Sequence, residues 1–155
     1  MIMIKTMLGK QLLDTVNTTI TYKERFEEFD LTTVIKKGDI LAVDFGVNVG
    51  REKSGIRPAV VVSHNDFNDS HQNIVVAPAT TFTNIIKYHK HGVFELIDTQ
   101  FVLSKKYYAY LRSTTVVQVD DIRNISKKRI IMKIGELSDK SFNDMQECLY
   151  NMVGL

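Results

Sequence analysis

Gly55-Ile56-Arg57-Pro58-Ala59-Val60-Val61-Val62 reads as a glycine turn, a charged strand mouth and then an unbroken apolar run. Four apolar residues, three of them β-branched, bounded by Gly and Pro, make the pattern of a strand buried on both faces. A second run, Ile74-Val75-Val76, ends in Ala77-Pro78-Ala79-Thr80, so a second buried strand also finishes beside a small polar side chain. Each segment puts a phosphate-compatible group at the mouth of a strand: the planar guanidinium fork of Arg57 and the short, stiff hydroxyl of Thr80. Held on strand ends rather than floppy loops, the two suit a phosphodiester on which negative charge develops. The pattern points to a β-rich domain and to a small enzyme acting on a nucleic-acid backbone.

The segments on either side extend this reading. Upstream, after Lys37-Gly38-Asp39, residues Leu41, Val43 and Phe45 alternate with Ile40, Ala42 and Asp44, which predicts a first strand with one strongly apolar face. The stretch from Gly46 to Gly55, with Arg51-Glu52-Lys53, is too long for a tight hairpin and reads as a mobile lid beside Arg57. Between the two buried strands, His64-Asn65-Asp66-Phe67-Asn68-Asp69 is rich in turn and cap chemistry. Downstream, Val93 to Asp98 alternates as a strand, while Phe101-Val102-Leu103 and Tyr107 to Leu111 fit strand or short helix. Thr114 to Val119 is a β-branched strand, Asp120-Asp121 starts a turn, and Ile122 to Ile125 is a short extended piece.

Both ends are helical in pattern. Leu8, Leu12 and Val16, then Tyr22, Phe26 and Phe29, suggest two helix stripes in an N-terminal extension, residues 1–36, that packs on its own core or extends a dimer interface. Ser138 is an N-cap with Asp139 in the first turn; Phe142, Met145, Leu149 and Met152 share one face, and Gly154 marks the stop. The expected fold is α+β but mostly β: a small antiparallel barrel or curled sheet closed by a C-terminal helix.

Length and composition bound the rest. The chain has 155 residues, 44% hydrophobic and 25% charged, with two prolines and a formal charge of +2, which fits one ordinary globular domain. Cys148 is the only cysteine, so an internal disulfide and a cysteine zinc cluster are both excluded; helical spacing from Met145 makes it a buried apolar residue. No segment approaches the roughly 20 apolar residues of a membrane span, and a cytoplasmic protein is the default.

In order, Lys37-Gly38-Asp39-Ile40, Asp44-Phe45-Gly46, Gly50-Arg51-Glu52, Gly55-Ile56-Arg57-Pro58, Val60 to Ser63, Ala77-Pro78-Ala79-Thr80, Ile122-Arg123-Asn124-Ile125, Arg129-Ile130 and Ile134 to Ser138 resemble the MazF/PemK family of toxin endoribonucleases. The resemblance covers residues 37–155, the toxin domain. It implies an SH3-like barrel, a homodimer, and cofactor-free, metal-independent cleavage of single-stranded RNA at a short sequence. It also implies inhibition by a cognate antitoxin, DNA binding together with that antitoxin, and no membrane partner. By position, Arg57 and Thr80 match the catalytic arginine and threonine, and Thr115 a hydroxyl that contacts RNA. Arg51, Glu52, Lys53, Asp121 and Arg123 fall on the RNA-binding segments. The chain departs from the pattern at Asp120-Asp121, where relatives carry Glu-Gln, and at Arg51, where a small Ser is common.

The implied reaction is attack of an RNA 2′-hydroxyl on the adjacent phosphorus, giving a 2′,3′-cyclic phosphate and a 5′-hydroxyl end. The nucleophile belongs to the substrate, so the protein must align a phosphate and stabilise its extra charge. His64, His71, His89 and His91 are alternative acid/base groups, since histidine is the usual proton carrier near neutral pH. Lys105-Lys106 beside Tyr107, Tyr108 and Tyr110, and Lys127-Lys128-Arg129, are basic clusters that suit single-stranded nucleic acid. Two other functions stay open at this point: a non-catalytic, gyrase-binding toxin of the same fold superfamily, and a plain RNA-binding barrel.

Overall fold

Apolar side chains on both faces of the central strands require a layer on each side, and the chain supplies two cores. The structure, a computed structural model, describes residues 33–87 and 97–154. Its strands are β1 (Asp39–Asp44), β2 (Ile56–Val61), β3 (Asn73–Thr81), β4 (Gln100–Leu103), β5 (Thr115–Gln118), β6 (Arg123–Ser126) and β7 (Ile130–Glu136). The helices are α1 (Asn65–Ser70), α2 (Phe82–Lys87) and α3 (Asp139–Val153), with single 3-10 turns at Val119–Asp121 and Lys127–Arg129. Among the described residues the strands form one curled antiparallel sheet in the order β4-β5-β3-β2-β1-β7, with β6 paired to the first half of β3. The expected mostly-β fold with a C-terminal helix is what the chain adopts. The expected helical stripes of residues 1–32 lie outside the described residues.

Alternation along the strands sorts side chains between the cores. Ile40, Val60, Ala77, Ala79, Leu103 and Val117 pack with Phe142 and Met145 of α3. Leu41, Val43, Phe45, Ala59, Val61, Ile74 and Val76 form the second core, closed by Ile125 and Ile130. β1 was expected to have a single apolar face; instead Ile40 and Leu41, adjacent and both buried, enter different cores. The reason is that β1 is an inner strand, hydrogen-bonded to β2 and β7 on its two sides and covered on both faces.

α3 follows its sequence signals. The Ser138 hydroxyl accepts the Ser141 N–H at 3.2 Å, Gly154 takes the left-handed conformation at φ 74°, and its N–H bonds the Tyr150 carbonyl. Burying Phe142 and Met145 stabilises this docking by roughly 1.5–3 kcal/mol each. Cys148 was expected to be buried, but it is half-buried on the flank of the stripe, with Sγ 3.8 Å from the Asp144 carbonyl.

Two segments differ from expectation, and a third is described only at its end. His64 to Asp69 forms a true helix, α1, with the His64 ring capping the Asp66 N–H at 3.3 Å and the buried Asn68 donating to the Ser63 carbonyl at 3.0 Å. Tyr107 to Leu111 is neither strand nor helix. It turns so that Tyr108 and Tyr110 send their hydroxyls to Ser141 Oγ at 2.6 Å and the Glu136 carbonyl at 2.7 Å. The expected strand at Val93 to Asp98 lies largely outside the described residues, and its last two, Ile97 and Asp98, lead into β4 without strand structure. No helix among the described residues is long and apolar enough to cross a membrane.

Candidate active site

β3 changes partners partway along its length, and that change opens the site. Val76 to Pro78 pair with β2, whereas Ala79 to Thr81 pair with β5. Pro78 has no N–H to donate, so the β2–β3 ladder stops there and the strands splay. Arg57 of β2 and Thr80 of β3 each lie two residues past the last pair, Ala59–Pro78. Between the splayed ends lies a cleft of about 860 Å³ lined by both side chains.

The Gly46 to Gly55 loop forms one wall. Its base is closed by Phe45 N–H to the Gly55 carbonyl at 3.0 Å and Gly55 N–H to the Gly46 carbonyl at 2.8 Å, with Gly46 and Gly55 both at φ 70°. Asn48 donates to the carbonyls of Phe45, at 3.2 Å, and of Lys53. These internal bonds place Arg51, Glu52, Lys53 and Ser54 along the cleft. Arg57 is anchored to the same loop: its Nε and Nη2 donate to the Ser54 carbonyl at 3.0 and 2.8 Å. The guanidinium is thereby oriented by backbone, and Nη1 takes no part in that anchor.

The opposite wall comes from β4, β5 and the 3-10 turn. Gln100, Gln118, Asp120 and Asp121 line it, with Ile85 of α2 at the side. On an extended strand Asp120 and Asp121 would point apart; the 3-10 turn instead brings both to one cleft. Lys53 Nζ lies 3.5 Å from Asp121 Oδ2, tying the two walls together. Burial lowers the Arg57 pKa from its ordinary value, and the charge of Asp121 opposes that drop. Asp120, although exposed overall, is raised by partial desolvation and then by Asp121, against a backbone hydrogen bond and Lys53.

Of the residues expected at the site, Arg51, Glu52, Lys53, Arg57, Thr80 and Asp121 therefore converge on one cleft. Arg123 sits one layer back, its Nη2 3.7 Å from Glu52 Oε2 and its guanidinium over the Phe45 ring at 5.6 Å. Thr115 does not reach the cleft. It is buried, and its hydroxyl donates to the Ser113 carbonyl at 2.9 Å, because the residue faces inward where β5 pairs with Thr81. Gln100, Gln118, Ser54 and Asp120 were not anticipated as site residues; the Gln100–Gln118 pair was hidden because β4 and β5 pair across a long connection.

The other candidates stand apart from this cleft. His64 and His71 cap the two ends of α1, and His71 stacks on Phe67 at 4.1 Å. His89 and His91 lie outside the described residues. Lys127 Nζ donates to the Asn68 carbonyl and Arg129 Nη1 to the Asp44 carbonyl at 3.1 Å, so both serve the scaffold. Lys105 Nζ bonds the Arg112 carbonyl at 2.9 Å, and Lys106 lies over Tyr107 at 5.6 Å. Among the described residues no three His, Cys, Asp or Glu side chains group as a metal-holding set.

Comparison with known proteins sets this arrangement among relatives. A family model described as PemK-like, MazF-like toxin of type II toxin-antitoxin system matches residues 36–153. The chain is 28% identical over 122 residues to the endoribonuclease MazF of Staphylococcus epidermidis, covering 79% of this chain and 93% of that protein. The crystal structure of MazF from Deinococcus radiodurans superposes with a TM-score of 0.61 at 20% identity, over 79% of this chain and 99% of that one. A mycobacterial endoribonuclease solved with its cognate antitoxin gives a TM-score of 0.58 at 21% identity, over 78% of this chain and 96% of that one.

Proposed function

The chain belongs to the PemK-like, MazF-like toxin family of type II toxin–antitoxin systems, and from that premise we propose that it is a sequence-preferring endoribonuclease acting on single-stranded RNA. The observation that carries this reading is that Arg57 and Thr80 line one cleft, with the cations Arg51 and Lys53 of the loop beside them. The endoribonuclease name of the Staphylococcus epidermidis relative supports the same activity.

In the proposed reaction the phosphate sits between Arg57 and Thr80. The substrate's 2′-oxygen bonds to phosphorus, the bond from phosphorus to the 5′-oxygen breaks, and the products carry a 2′,3′-cyclic phosphate and a 5′-hydroxyl. Arg57, already oriented by Ser54, stabilises the charge that grows on the non-bridging oxygens, and Thr80 donates a hydrogen bond to one of them. A guanidinium makes a poor proton shuttle, since it keeps its proton across the physiological range. Asp120, which lines the cleft and whose carboxyl is raised by partial desolvation and then by Asp121, is better suited to take the 2′-hydroxyl proton, and the departing 5′-oxygen takes a proton from solvent. Arg51, Lys53 and, through Glu52, Arg123 hold the flanking RNA. No metal enters this scheme.

The protein works as a cytoplasmic homodimer held inactive by a cognate antitoxin, and with that antitoxin it binds DNA. Residues 37–155 are the toxin unit, and residues 1–36 precede it as an extension. The test is incubation of the pure protein with single-stranded RNA in excess chelator. Cleavage is expected; gyrase inhibition without RNA cleavage would contradict the reading.

A further inference from the structure

Two residues of the cleft wall, Gln100 and Gln118, take no part in the chemistry described above. Gln118, at the end of β5, is 8% exposed, and its Oε1 is buried with no hydrogen-bond partner among the described residues. It faces Gln100 across the β4–β5 ladder, and both line the cleft that holds Arg57 and Thr80. Gln100 Oε1 accepts the Ile97 N–H at 3.3 Å, which leaves its Nε2 to donate elsewhere. A buried amide oxygen without a partner is costly, and in a cleft the natural remedy is a ligand that supplies the missing donor. Position agrees with this. Gln118 lies two residues beyond Val116, the partner of Thr80, on the same face of β5 and about 7 Å along the strand. A single nucleotide spans that separation between its phosphate and the edge of its base.

We propose that Gln118, with Gln100, reads the base of the nucleotide beside the scissile phosphate, and that the base is a pyrimidine. The argument is a count of donors and acceptors. The pair presents one acceptor, Gln118 Oε1, and two donor groups, the Nε2 amides of Gln118 and Gln100. The Watson–Crick edge of uracil carries one donor and two acceptors, and so does that of cytosine. Guanine carries the reverse, one acceptor and two donors, and leaves a donor unpaired. Adenine offers a single ring acceptor there and leaves one glutamine donor unmet. Single-stranded RNA exposes these edges, so an amide pair on a strand end can read them. Discrimination by one such bidentate contact is worth about 5- to 100-fold in affinity.

This inference rests on the reading of the cleft as an RNA site, and its test is kept separate from cleavage. The probes are the four nucleoside 3′,5′-bisphosphates, each a base flanked by two phosphates, titrated into the protein by NMR. The uridine and cytidine compounds are expected to bind about 5- to 100-fold tighter than the guanosine compound and to shift the Gln118 side-chain amide resonance. Gln118→Leu should abolish the preference, leave affinity for inorganic phosphate unchanged, and raise Tm, because it removes an unpaired buried oxygen. Gln118→Met, closer in length, repeats the comparison should the leucine fail to pack. A purine preference, or a pyrimidine preference that survives both substitutions, would overturn the assignment. Loss of pyrimidine preference in the variants of a protein that cuts no RNA would uphold the base site and defeat only the nuclease reading. Cleavage of RNA without pyrimidine binding would do the opposite.

Discussion

Arg57→Ala separates the catalytic from the structural work of one side chain. On folding, the change removes two hydrogen bonds that share a single acceptor, the Ser54 carbonyl. That loss is worth about 1 kcal/mol net. In a domain of this size such a loss lowers Tm by roughly 2–5 °C. The residue lies at the half-buried mouth of β2, outside both cores, so no cavity adds to the cost. Removing a preorganised donor from developing charge costs more, about 3–4 kcal/mol, or a hundred- to a thousand-fold in rate. RNA affinity should fall less, because Arg51 and Lys53 line the same cleft and share ground-state binding. Arg57→Lys should recover less than a tenfold part of the rate. An ammonium cannot bond the Ser54 carbonyl with one edge of a planar fork while presenting another to phosphate. The assay is single-turnover cleavage of a defined RNA at saturating protein, with Tm recorded for each variant. A rate for Arg57→Ala within tenfold of wild type, in a folded protein, would refute the placement of the phosphate and return attention to the histidines.

Further outcomes follow from the same geometry. A Cβ added at Gly135 would sit 2.6 and 2.7 Å from Cε2 and Cε1 of Tyr110, so Gly135→Ala must expel that ring and lose its bond to the Glu136 carbonyl. The expected cost is about 1–3 kcal/mol in urea unfolding, and it should nearly vanish in a Tyr110→Ala background. Asp120 is raised in the folded state, so the folded protein binds its proton more tightly than the unfolded chain does, and its contribution to stability falls as pH rises from the ordinary carboxylate value through the raised one. Asp120→Asn should therefore raise Tm at neutral pH, with the gain shrinking to nothing in acid, while cleavage slows. Lys133 Nζ bonds Asp39 Oδ1 at 2.8 Å, and Asp39 is only 2% exposed. Lys133→Met should cost about 2–3 kcal/mol in denaturant unfolding, because among the described residues the carboxylate then keeps only the Lys36 N–H at 2.9 Å. The Lys133 pKa is raised, by the Asp39 hydrogen bond first, so this contribution is complete below the ordinary lysine value and is lost as pH climbs through the raised one.

That Arg57 and Thr80 share one cleft was legible because each bounds an apolar run whose β character local sequence already states. Pro78 was visible too, but its consequence, the handover of β3 from β2 to β5, needs the partners of β3 to be known. β7 was not foreseen as a strand, since Ile131 and Met132 are exposed on it and blur the alternation that marks a half-buried strand. α2 is a short helix whose pattern is too brief to carry a period. Thr115 was misplaced for a different reason. A hydroxyl on β5 looks available in sequence, yet strand parity turns it inward and brings Gln118 to the cleft. The aspartates were read as the start of a turn, and a 3-10 turn is what forms there; that it brings both to the cleft depends on where β4 and β5 lie.

The central claim is that the cleft supplies alignment and charge while the RNA supplies its own nucleophile. The most direct measurement uses one defined RNA with a single 2′-deoxy substitution at the nucleotide 5′ to the cleaved bond, incubated in chelator beside the all-ribose control. The account predicts that the control is cut to 2′,3′-cyclic phosphate and 5′-hydroxyl ends and that the substituted bond stays intact, with neighbouring binding unchanged. Continued cleavage at the deoxy position, with 5′-phosphate products, would contradict it.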